Sequence, residues 1–364
     1  MDAPKRGTMP NPGNGDAIKI TAEDLAGVAV QQSAVISTAG QSSSGAKVYG
    51  TINETAEQLV AVSTDRGSIL LQGWFYLGVA GLLGALAGWA IAEPGFVDAR
   101  GNHWGNIVMI PLIITLMCIG FGASESIVER SVRKALLRGA LALPLGILLG
   151  FIFIFDFMAN IIYNIALRIC FEAGAQSFKN PAVWIARGIA WMIFGAAGGV
   201  VYGIVGQSSK KGMYGVLGGA LGAGLGGFLF DPISMATHNI YGVSRATGFA
   251  LVGLATGVGM GLVESALKDR WLYVVAGPLA GKQFILYKSE TTIGSRQESD
   301  IYLFKDSNIL PRHATITLSG ARVMLLATGP VLWGGQPVHN RVLQDGDLLQ
   351  IGRYAFRYKE KHRS

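Results

Sequence analysis

Apolar residues are concentrated in long runs between residues 69 and 267. A helix needs about 20 apolar residues to cross the ~30 Å hydrocarbon core of a bilayer, and the runs recur at about that length. The pattern therefore predicts six membrane-spanning helices. The predicted spans are residues 69–92, 105–123, 139–157, 183–206, 213–231 and 247–267. After the third span, Arg168 and Glu172 interrupt a further apolar run, which predicts an interfacial helix over residues 161–171.

The pattern changes after Arg270, where short β-prone runs alternate with turns rich in Gly, Pro, Asn and Asp. Strands at this spacing predict an antiparallel sandwich of about 90 residues. The first residues are rich in Gly, Ser, Thr and Ala and cannot bury enough apolar surface to offset the entropy of ordering. The fold expected is an α-helical polytopic membrane bundle with a C-terminal all-β sandwich. Its predicted parts are a flexible tail (1–67), a Gly-rich transmembrane domain (68–268), the β-sandwich (269–360) and a basic tail (361–364).

Composition agrees with a membrane protein: 50% of residues are hydrophobic and 15% are charged, against about 25% charged in a typical soluble domain. The net charge of +7 raises the possibility of a nucleic-acid partner. Basic residues beside apolar spans are more simply read as topology signals and as contacts with anionic lipid headgroups. We therefore expect the lipid bilayer, and no nucleic acid, as a partner.

The basic residues also predict an orientation, because Lys and Arg in short flanking loops tend to remain cytosolic. One set of flanks holds nine Lys and Arg and the opposite set holds five. The first set is Arg66, Arg130, Arg133, Lys134, Arg138, Lys210, Lys211, Lys268 and Arg270. This asymmetry predicts that both termini and the β-domain are cytosolic.

The spans show an internal repeat. Segments 126–134, 203–211 and 261–269 each close a span with an apolar pair and then become polar, while spans one, three and five end at Glu93, Asp156 and Asp231. Three helical hairpins related by duplication explain both patterns. Chance similarity among Gly-rich helices is the alternative.

Glycine, at 51 residues, is about twice as frequent as usual. Lipid supplies no hydrophobic force between helices, so close packing through small residues four apart is the expected use, a glycine zipper. The expected packing residues are Gly195, Gly199, Gly203, Gly218, Gly222, Gly226, Gly253, Gly257 and Gly261. The fifth span carries glycine on two faces and is the candidate for the bundle centre. Packing within one chain, contacts in a homo-oligomer and a pore remain open.

Residues that carry chemistry are scarce. The five histidines have no metal-ligand spacing, and no nucleophile elbow or phosphate-cradling loop is present. We expect no enzymatic activity, no cofactor and no metal. Glu93, Asp231, Glu125 and Glu264 lie at predicted helix ends, where an interfacial position costs little, and Asp156 is the acid to test for transport.

Four blocks in the β-domain resemble the forkhead-associated (FHA) domain over about residues 271–358. The blocks are residues 292–295 (TIGS), 299–303 (SDIYL), 312–316 (RHATI) and 343–352 (LQDGDLLQIG). The resemblance implies a β-sandwich that binds phosphothreonine peptides through loops at one end, with His313 structural.

The chain departs from the family pattern where the phosphate would bind. Ser295 stands in place of an Arg, Leu310 in place of a Ser and Pro311 in place of a basic or polar residue. The loop that normally reads Asn-Gly-Thr aligns to residues 329–335. The candidate partner-binding residues are Ser295, Arg296, Leu310, Arg312, Trp333 and Gly334. Phosphate-independent protein binding, altered phosphopeptide binding and a structural or lipid-facing role remain open, because phosphate recognition depends on Arg, hydroxyl and amide donors.

The functional hypothesis is a membrane-anchored adaptor or signalling scaffold, in which the β-domain recruits a cytosolic protein or peptide, phosphorylated or not. Residues 271–364 hold twelve Lys and Arg against seven Asp and Glu, which makes an acidic partner plausible. The alternative is a channel or transporter regulated by the β-domain.

Overall fold

The computed structural model describes residues 68–98, 103–151, 154–175, 177, 179–237, 241–320 and 322–361. The predicted tail at 1–67 and residues 362–364 of the predicted basic tail lie outside this described part. The described residues form a ring of helices followed by a β-domain.

Seven α-helices precede the β-domain in the described residues. They are α1 (Gly73–Ala92), α2 (Trp104–Val128), α3 (Val132–Phe151), α4 (Ile154–Glu172), α5 (Pro181–Val205), α6 (Ser209–Ala236) and α7 (Tyr241–Leu267). All except α4 are long and apolar enough to cross a membrane, judged by length and composition. The prediction of six long apolar helices is confirmed.

The bounds predicted for the third span, 139–157, are wrong. The corresponding helix α3 begins seven residues earlier, at Val132, and ends at Phe151. The first turn of α3 is polar, so the pattern of apolar runs left it out of the predicted span. In the structure, Lys134 of this turn donates hydrogen bonds to carbonyl groups of the β-domain. Asp156 lies in the separate helix α4. The predicted interfacial helix is therefore longer than expected and begins before residue 161.

The helices form a closed ring, in which each helix packs on its neighbours: α1 on α2, α2 on α3, α3 on α5, α5 on α6, α6 on α7 and α7 on α1. Helix α4 packs mainly on the outside of α5. Helix α2 also contacts α5 across the ring. The fifth span, α6, is therefore one side of the ring and does not form its centre. One of its glycine faces packs on α5 and the other packs on α7.

The candidate glycines lie where helices cross. Gly195, Gly199 and Gly203 face α6, where a side-chain carbon on any of them would overlap the backbone of Gly219, Gly215 or Gly212. Gly218, Gly222 and Gly226 face α7, and Gly253, Gly257 and Gly261 face α1, again against backbone atoms. Three of the ring's seams thus depend on backbone-to-backbone contact, which only glycine permits.

Large side chains fill the axis of the ring. Leu77, Phe121 and Met260 are fully buried there, and Trp191 stacks on Phe249 with ring centroids 6.0 Å apart. The described helices therefore enclose a packed core rather than an open passage.

Two turns between helices have the same backbone structure. Arg130 and Gln207 both have positive φ angles, of 57° and 53°. In each turn the residue that follows, Ser131 or Ser208, donates its N–H to the carbonyl five residues earlier. These turns lie in two of the three repeated sequence segments, so they agree with the predicted duplication, which stays a prediction.

Two of the acids that end odd-numbered spans form ion pairs with arginines of even-numbered spans. Asp231 accepts a hydrogen bond of 2.9 Å from Arg187, and Glu93 accepts two from Arg245. The side chain of Asp156 lies outside the described residues. Both pairs lie at the end of the ring away from the β-domain, here called the far end.

Two residues, Lys268 and Asp269, separate α7 from the β-domain. Its strands are β1 (Arg270–Ala276), β2 (Gln283–Ile285), β3 (Glu290–Gly294), β4 (Ile301–Tyr302), β5 (Ala314–Ser319), β6 (Arg322–Trp333), β7 (Gln336–Val342), β8 (Leu348–Ile351) and β9 (Tyr354–Glu360). The strand order is β2-β1-β9-β8-β6-β5-β3-β4, with β7 paired to β6, and all pairs are antiparallel except β3 with β4. Alternate residues such as Leu272, Ile316, Leu325 and Phe356 are fully buried in the core. The predicted sandwich is confirmed.

Candidate functional site

Two loops at one edge of the β-domain bring four candidate residues together. The β3–β4 loop holds Ser295 and Arg296, and the β4–β5 loop holds Leu310 and Arg312. The Ser295 N–H donates to the Leu310 carbonyl at 3.0 Å, which ties the loops to each other. Gly294 is required beside this bond, because a side-chain carbon there would overlap the Pro311 carbonyl. We call this surface the loop edge.

His313 holds the loop edge from inside. It is fully buried, and its Nδ1 accepts the Leu310 N–H at 3.0 Å. Its Nε2 therefore carries the proton and donates to the Pro330 carbonyl, also at 3.0 Å. The His313 carbonyl accepts the N–H groups of Thr328 and Gly329. The imidazole therefore joins two segments of backbone, and neither of its nitrogens is left to bind a ligand.

The exposed groups of the loop edge differ from a phosphate-binding set. Leu310 is 41% exposed and offers no donor, and Pro311 has no N–H. The Arg312 guanidinium is paired with Glu290. Arg296 is exposed, and no carboxylate of the described residues lies within 4 Å of it. The edge therefore presents an apolar side chain, carbonyl groups and two exposed guanidinium groups, of which that of Arg312 has a surface carboxylate beside it.

Trp333 and Gly334 lie at the hairpin between β6 and β7 and not in either of these two loops. The loop expected at residues 329–335 is instead the end of strand β6, followed by a tight turn at Gly334 and Gly335, whose φ angles of 52° and 83° suit a two-residue hairpin. The Trp333 indole donates to Asp347 at 2.9 Å, and the Arg341 guanidinium lies 3.3 Å from the centre of its ring. The Gly-Gly pair is the turn of the β6–β7 hairpin, and the segment that contacts His313 is residues 328–330.

The helical ring supports the loop edge from below. Arg133 pairs with Glu298, and Lys134 Nζ donates to the carbonyls of Ser299 and Asp300 at 2.9 and 3.2 Å. The sequence shows these basic residues only as topology signals. In the structure they position the β3–β4 loop.

Asp300 fixes the other side of that loop. Its carboxylate accepts hydrogen bonds from the Thr292 N–H and hydroxyl and from Lys288 Nζ, all between 2.7 and 2.9 Å. Partial burial alone would raise the pKa of Asp300, but the hydrogen bonds from Lys288 and Thr292 hold it below its ordinary value. The carboxylate therefore stays ionised at neutral pH.

A buried ion pair joins the β-domain to the ring. Lys282 Nζ, just before β2, lies 2.9 Å from the Glu129 carboxylate at the end of α2, and both side chains are 2% exposed. Lys134 lies 3.5 Å from the other oxygen of Glu129. Desolvating these charges costs free energy that only the pairing offsets. No local sequence signal marks Lys282 as a partner, because Glu129 lies 153 residues away.

Two further carboxylates are covered by the β-domain. Glu125 accepts hydrogen bonds from Lys211 at 2.8 Å and from Arg138 at 2.9 Å. Glu264 accepts the hydroxyls of Tyr202 and Tyr287, the latter at 2.6 Å. Both carboxylates lie near the ends of ring helices, as predicted, but the β-domain covers this end of the ring, so the Glu125 side chain is 22% accessible and Glu264 is 6% exposed.

These groups surround a polar cavity of about 100 Å³ between the ring and the β-domain. Tyr76, Glu125 and Lys211 line it from the ring, and Gln283 and Tyr287 line it from the β-domain. Burial and the neighbouring Glu264 raise the pKa of Tyr287, so its hydroxyl remains a donor across the junction. Among the described residues, no cluster of His, Cys, Asp and Glu is suited to hold a metal ion.

Comparison with known proteins identifies the β-domain. Residues 291–352 match the family model of the FHA domain, and the predicted resemblance is confirmed for this segment. The glycogen accumulation regulator GarA of Mycolicibacterium smegmatis is 35% identical over 86 residues, which is 23% of this chain and 54% of GarA. The oxoglutarate dehydrogenase inhibitor of Corynebacterium efficiens is also 35% identical over 86 residues, which is 60% of that protein. The chain thus spans about half the length of the curated relatives it matches.

Solved structures resemble the same quarter of the chain. The FHA domain of FhaA, complexed with the intracellular domain of Rv3910, is 22% identical and covers 25% of this chain, with a TM-score of 0.23. The N-terminal FHA domain of S. cerevisiae Rad53p, complexed with a phosphothreonine peptide, is 17% identical and covers 26%, with a TM-score of 0.24.

Proposed function

We propose that the chain is a membrane-anchored adaptor, in which a ring of six spanning helices fixes the location and the FHA domain recruits a cytosolic protein. One observation carries the proposal: a recognition domain is held on the end of an apolar ring by a buried ion pair, Lys282 with Glu129. FHA domains bind phosphopeptides or proteins, and two of the curated relatives are named as a glycogen accumulation regulator and an oxoglutarate dehydrogenase inhibitor.

The outward surface of the ring supports membrane insertion. Leu83 on α1 and Leu221 on α6 are each 60% exposed, and similar large apolar side chains cover α3 and α7. Exposing these apolar side chains to water would cost free energy, whereas exposing them to lipid would not. The basic residues that predict the cytosolic side, Arg133, Lys134 and Lys211 among them, lie at the FHA end of the ring.

The composition of the loop edge favours a ligand that is bound without a phosphothreonine pocket. Leu310 and Pro311 supply no donors, and Arg312 lies in an exposed pair with Glu290. Arg296 has no carboxylate of the described residues within 4 Å, so it is the cation that we expect an acidic partner to contact first. The apolar Leu310 beside it suits a peptide that combines an acidic and an apolar side chain.

The test uses the full chain in lipid nanodiscs and an array of phosphothreonine peptides with unphosphorylated counterparts. We expect unphosphorylated acidic peptides to bind, and Arg296→Ala to weaken binding at least fivefold, about 1 kcal/mol. Arg322→Ala is the matched control, because Arg322 is exposed at the opposite end of the β5–β6 hairpin. Binding that strictly requires phosphate would replace this reading with altered phosphopeptide recognition. No binding of any peptide would reject recruitment through the loop edge.

A channel or transporter regulated by the FHA domain is the second candidate, and the polar cavity at the FHA end of the ring is what favours it. Phe121 and Met260 fill the axis beyond that cavity, so the structure favours the adaptor. Ion flux into liposomes, compared between the native protein and Asp156→Asn, separates the two: an anchor conducts nothing in either form.

A further inference from the structure

Helix α4 differs from the other helices in carrying two exposed stripes of opposite character. One stripe is apolar and repeats every four residues: Phe157, Ile161, Ile165 and Ile169. The adjacent stripe is polar and has the same period: Asn160, Asn164, Arg168 and Glu172. Residues four apart lie near one another on a helix face, so each stripe winds slowly along most of the helix.

The third face of α4 attaches it to the ring near the far end. The Tyr163 hydroxyl accepts a hydrogen bond of 3.3 Å from Arg187, whose guanidinium also lies 5.3 Å from the centre of the Tyr163 ring. The Cys170 thiol donates to the Ala182 carbonyl at 3.3 Å. Arg187 and Ala182 both belong to the first turns of α5.

The chain enters and leaves α4 in the half of the ring nearer the far end. Helix α3, which delivers the chain to α4, ends beside Pro111: a side-chain carbon on Gly150 would lie 2.7 Å from the Pro111 carbonyl. Pro111 is seven residues inside α2, counted from its far end at Trp104. The other end of α4 reaches Ala182, the second residue of α5. The height between these levels is therefore only ~10 Å at 1.5 Å per residue.

A helix of 19 residues is ~28 Å long. A helix ~28 Å long that joins two points only ~10 Å apart in height is inclined to the ring axis and does not run from one end of the ring to the other. Helix α4 therefore does not add a seventh crossing, and α3 and α5 keep opposite directions.

We infer that α4 is an in-plane amphipathic helix that binds the bilayer interface of the leaflet opposite the FHA domain. Its apolar stripe enters the boundary of the acyl chains, and its polar stripe faces headgroups and water, the arrangement expected of interfacial helices. A fully lipid-embedded α4 would place the exposed Arg168 and Glu172 in hydrocarbon, which is costly. The inference rests on the proposed membrane insertion and adds a lipid-binding surface at the far end.

The test places one spin label on each stripe of the full chain in nanodiscs, with Cys118 and Cys170 replaced by alanine. The variants are Ile165→Cys on the apolar stripe and Asn164→Cys on the polar stripe. Leu221→Cys on α6 reports on the membrane insertion of the ring itself. Oxygen reports exposure to lipid, and a water-soluble nickel complex reports exposure to water.

We expect Leu221→Cys and Ile165→Cys to favour oxygen, and Asn164→Cys to be about threefold more accessible to nickel than Ile165→Cys. If Leu221→Cys is exposed to nickel, the proposed insertion fails. If Leu221→Cys favours oxygen but both α4 positions favour the same reagent, insertion stands and the in-plane assignment is overturned. Ile169→Cys and Arg168→Cys, one turn on, replace any variant that does not fold.

Discussion

The buried pair of Lys282 and Glu129 should control how firmly the FHA domain is seated. Replacing Lys282 with Met keeps the length of the side chain but leaves the Glu129 carboxylate with Lys134 alone, at 3.5 Å. Removing one partner of a buried pair typically costs about 3–5 kcal/mol, and the remaining lysine should reduce this to about 2–3 kcal/mol. Glu129→Gln should cost more, because it leaves two lysines without a carboxylate.

Thermal unfolding in nanodiscs and hydrogen exchange at β2 and at the α2–α3 turn measure the effect. We expect Lys282→Met to lower the unfolding free energy and to raise exchange on both sides of the junction. Arg133→Met is the matched control, because its pair with Glu298 is exposed, with side chains 68% and 54% accessible; exposed pairs contribute below about 1 kcal/mol. If Lys282→Met is as mild as Arg133→Met and leaves exchange unchanged, the buried pair does not hold the domain.

Three further changes test other parts of the structure. Gly195→Val should destabilise the ring in detergent unfolding by about 3 kcal/mol, because its side chain would overlap the α6 backbone, whereas Gly139→Ala, with atoms no nearer than 3.8 Å, should be neutral; equal midpoints for both would contradict the packing. Asp347→Ala should cost about 1–3 kcal/mol, since it leaves the Trp333 indole unpaired, and should shift the tryptophan emission to longer wavelength. The depressed pKa of Asp300 means that it stabilises the folded state above its ordinary pKa near 3.9 and that this stabilisation is lost as pH falls through the folded pKa. Asp300→Asn should therefore flatten the acid limb of the unfolding curve below about pH 4 and leave its shape near pH 7 unchanged.

The sequence was sufficient to predict the helices and the FHA domain because both depend on local signals. Apolar runs of about 20 residues and alternating strands with turn residues are visible without tertiary information. The third span shows the limit of this reasoning. Its first turn contains Arg133 and Lys134, which look like flanking charges until their partners on the β-domain are known.

The candidate site was predicted in part. Ser295, Arg296, Leu310 and Arg312 are positioned by strands whose ends the sequence marks, and the structure brings them together. The burial of Glu264 and its bond with Tyr287 could not be predicted, because they depend on a domain that begins after α7 and folds back over the ring. The hairpin turn after Trp333 could have been predicted, because a Gly-Gly pair between two β-prone runs indicates a two-residue turn.

Only Lys268 and Asp269 separate the last helix from the first strand. In a bilayer, so short a connection would leave the FHA domain almost no freedom to move away from the helices. A partner would then have to reach the membrane surface and present its binding segment within the height of one small domain. Extended or terminal segments can do so, whereas a segment in the middle of a bulky globular face would be kept away by the bilayer itself. The distance over which this protein recruits would be set by the partner and not by a tether of its own.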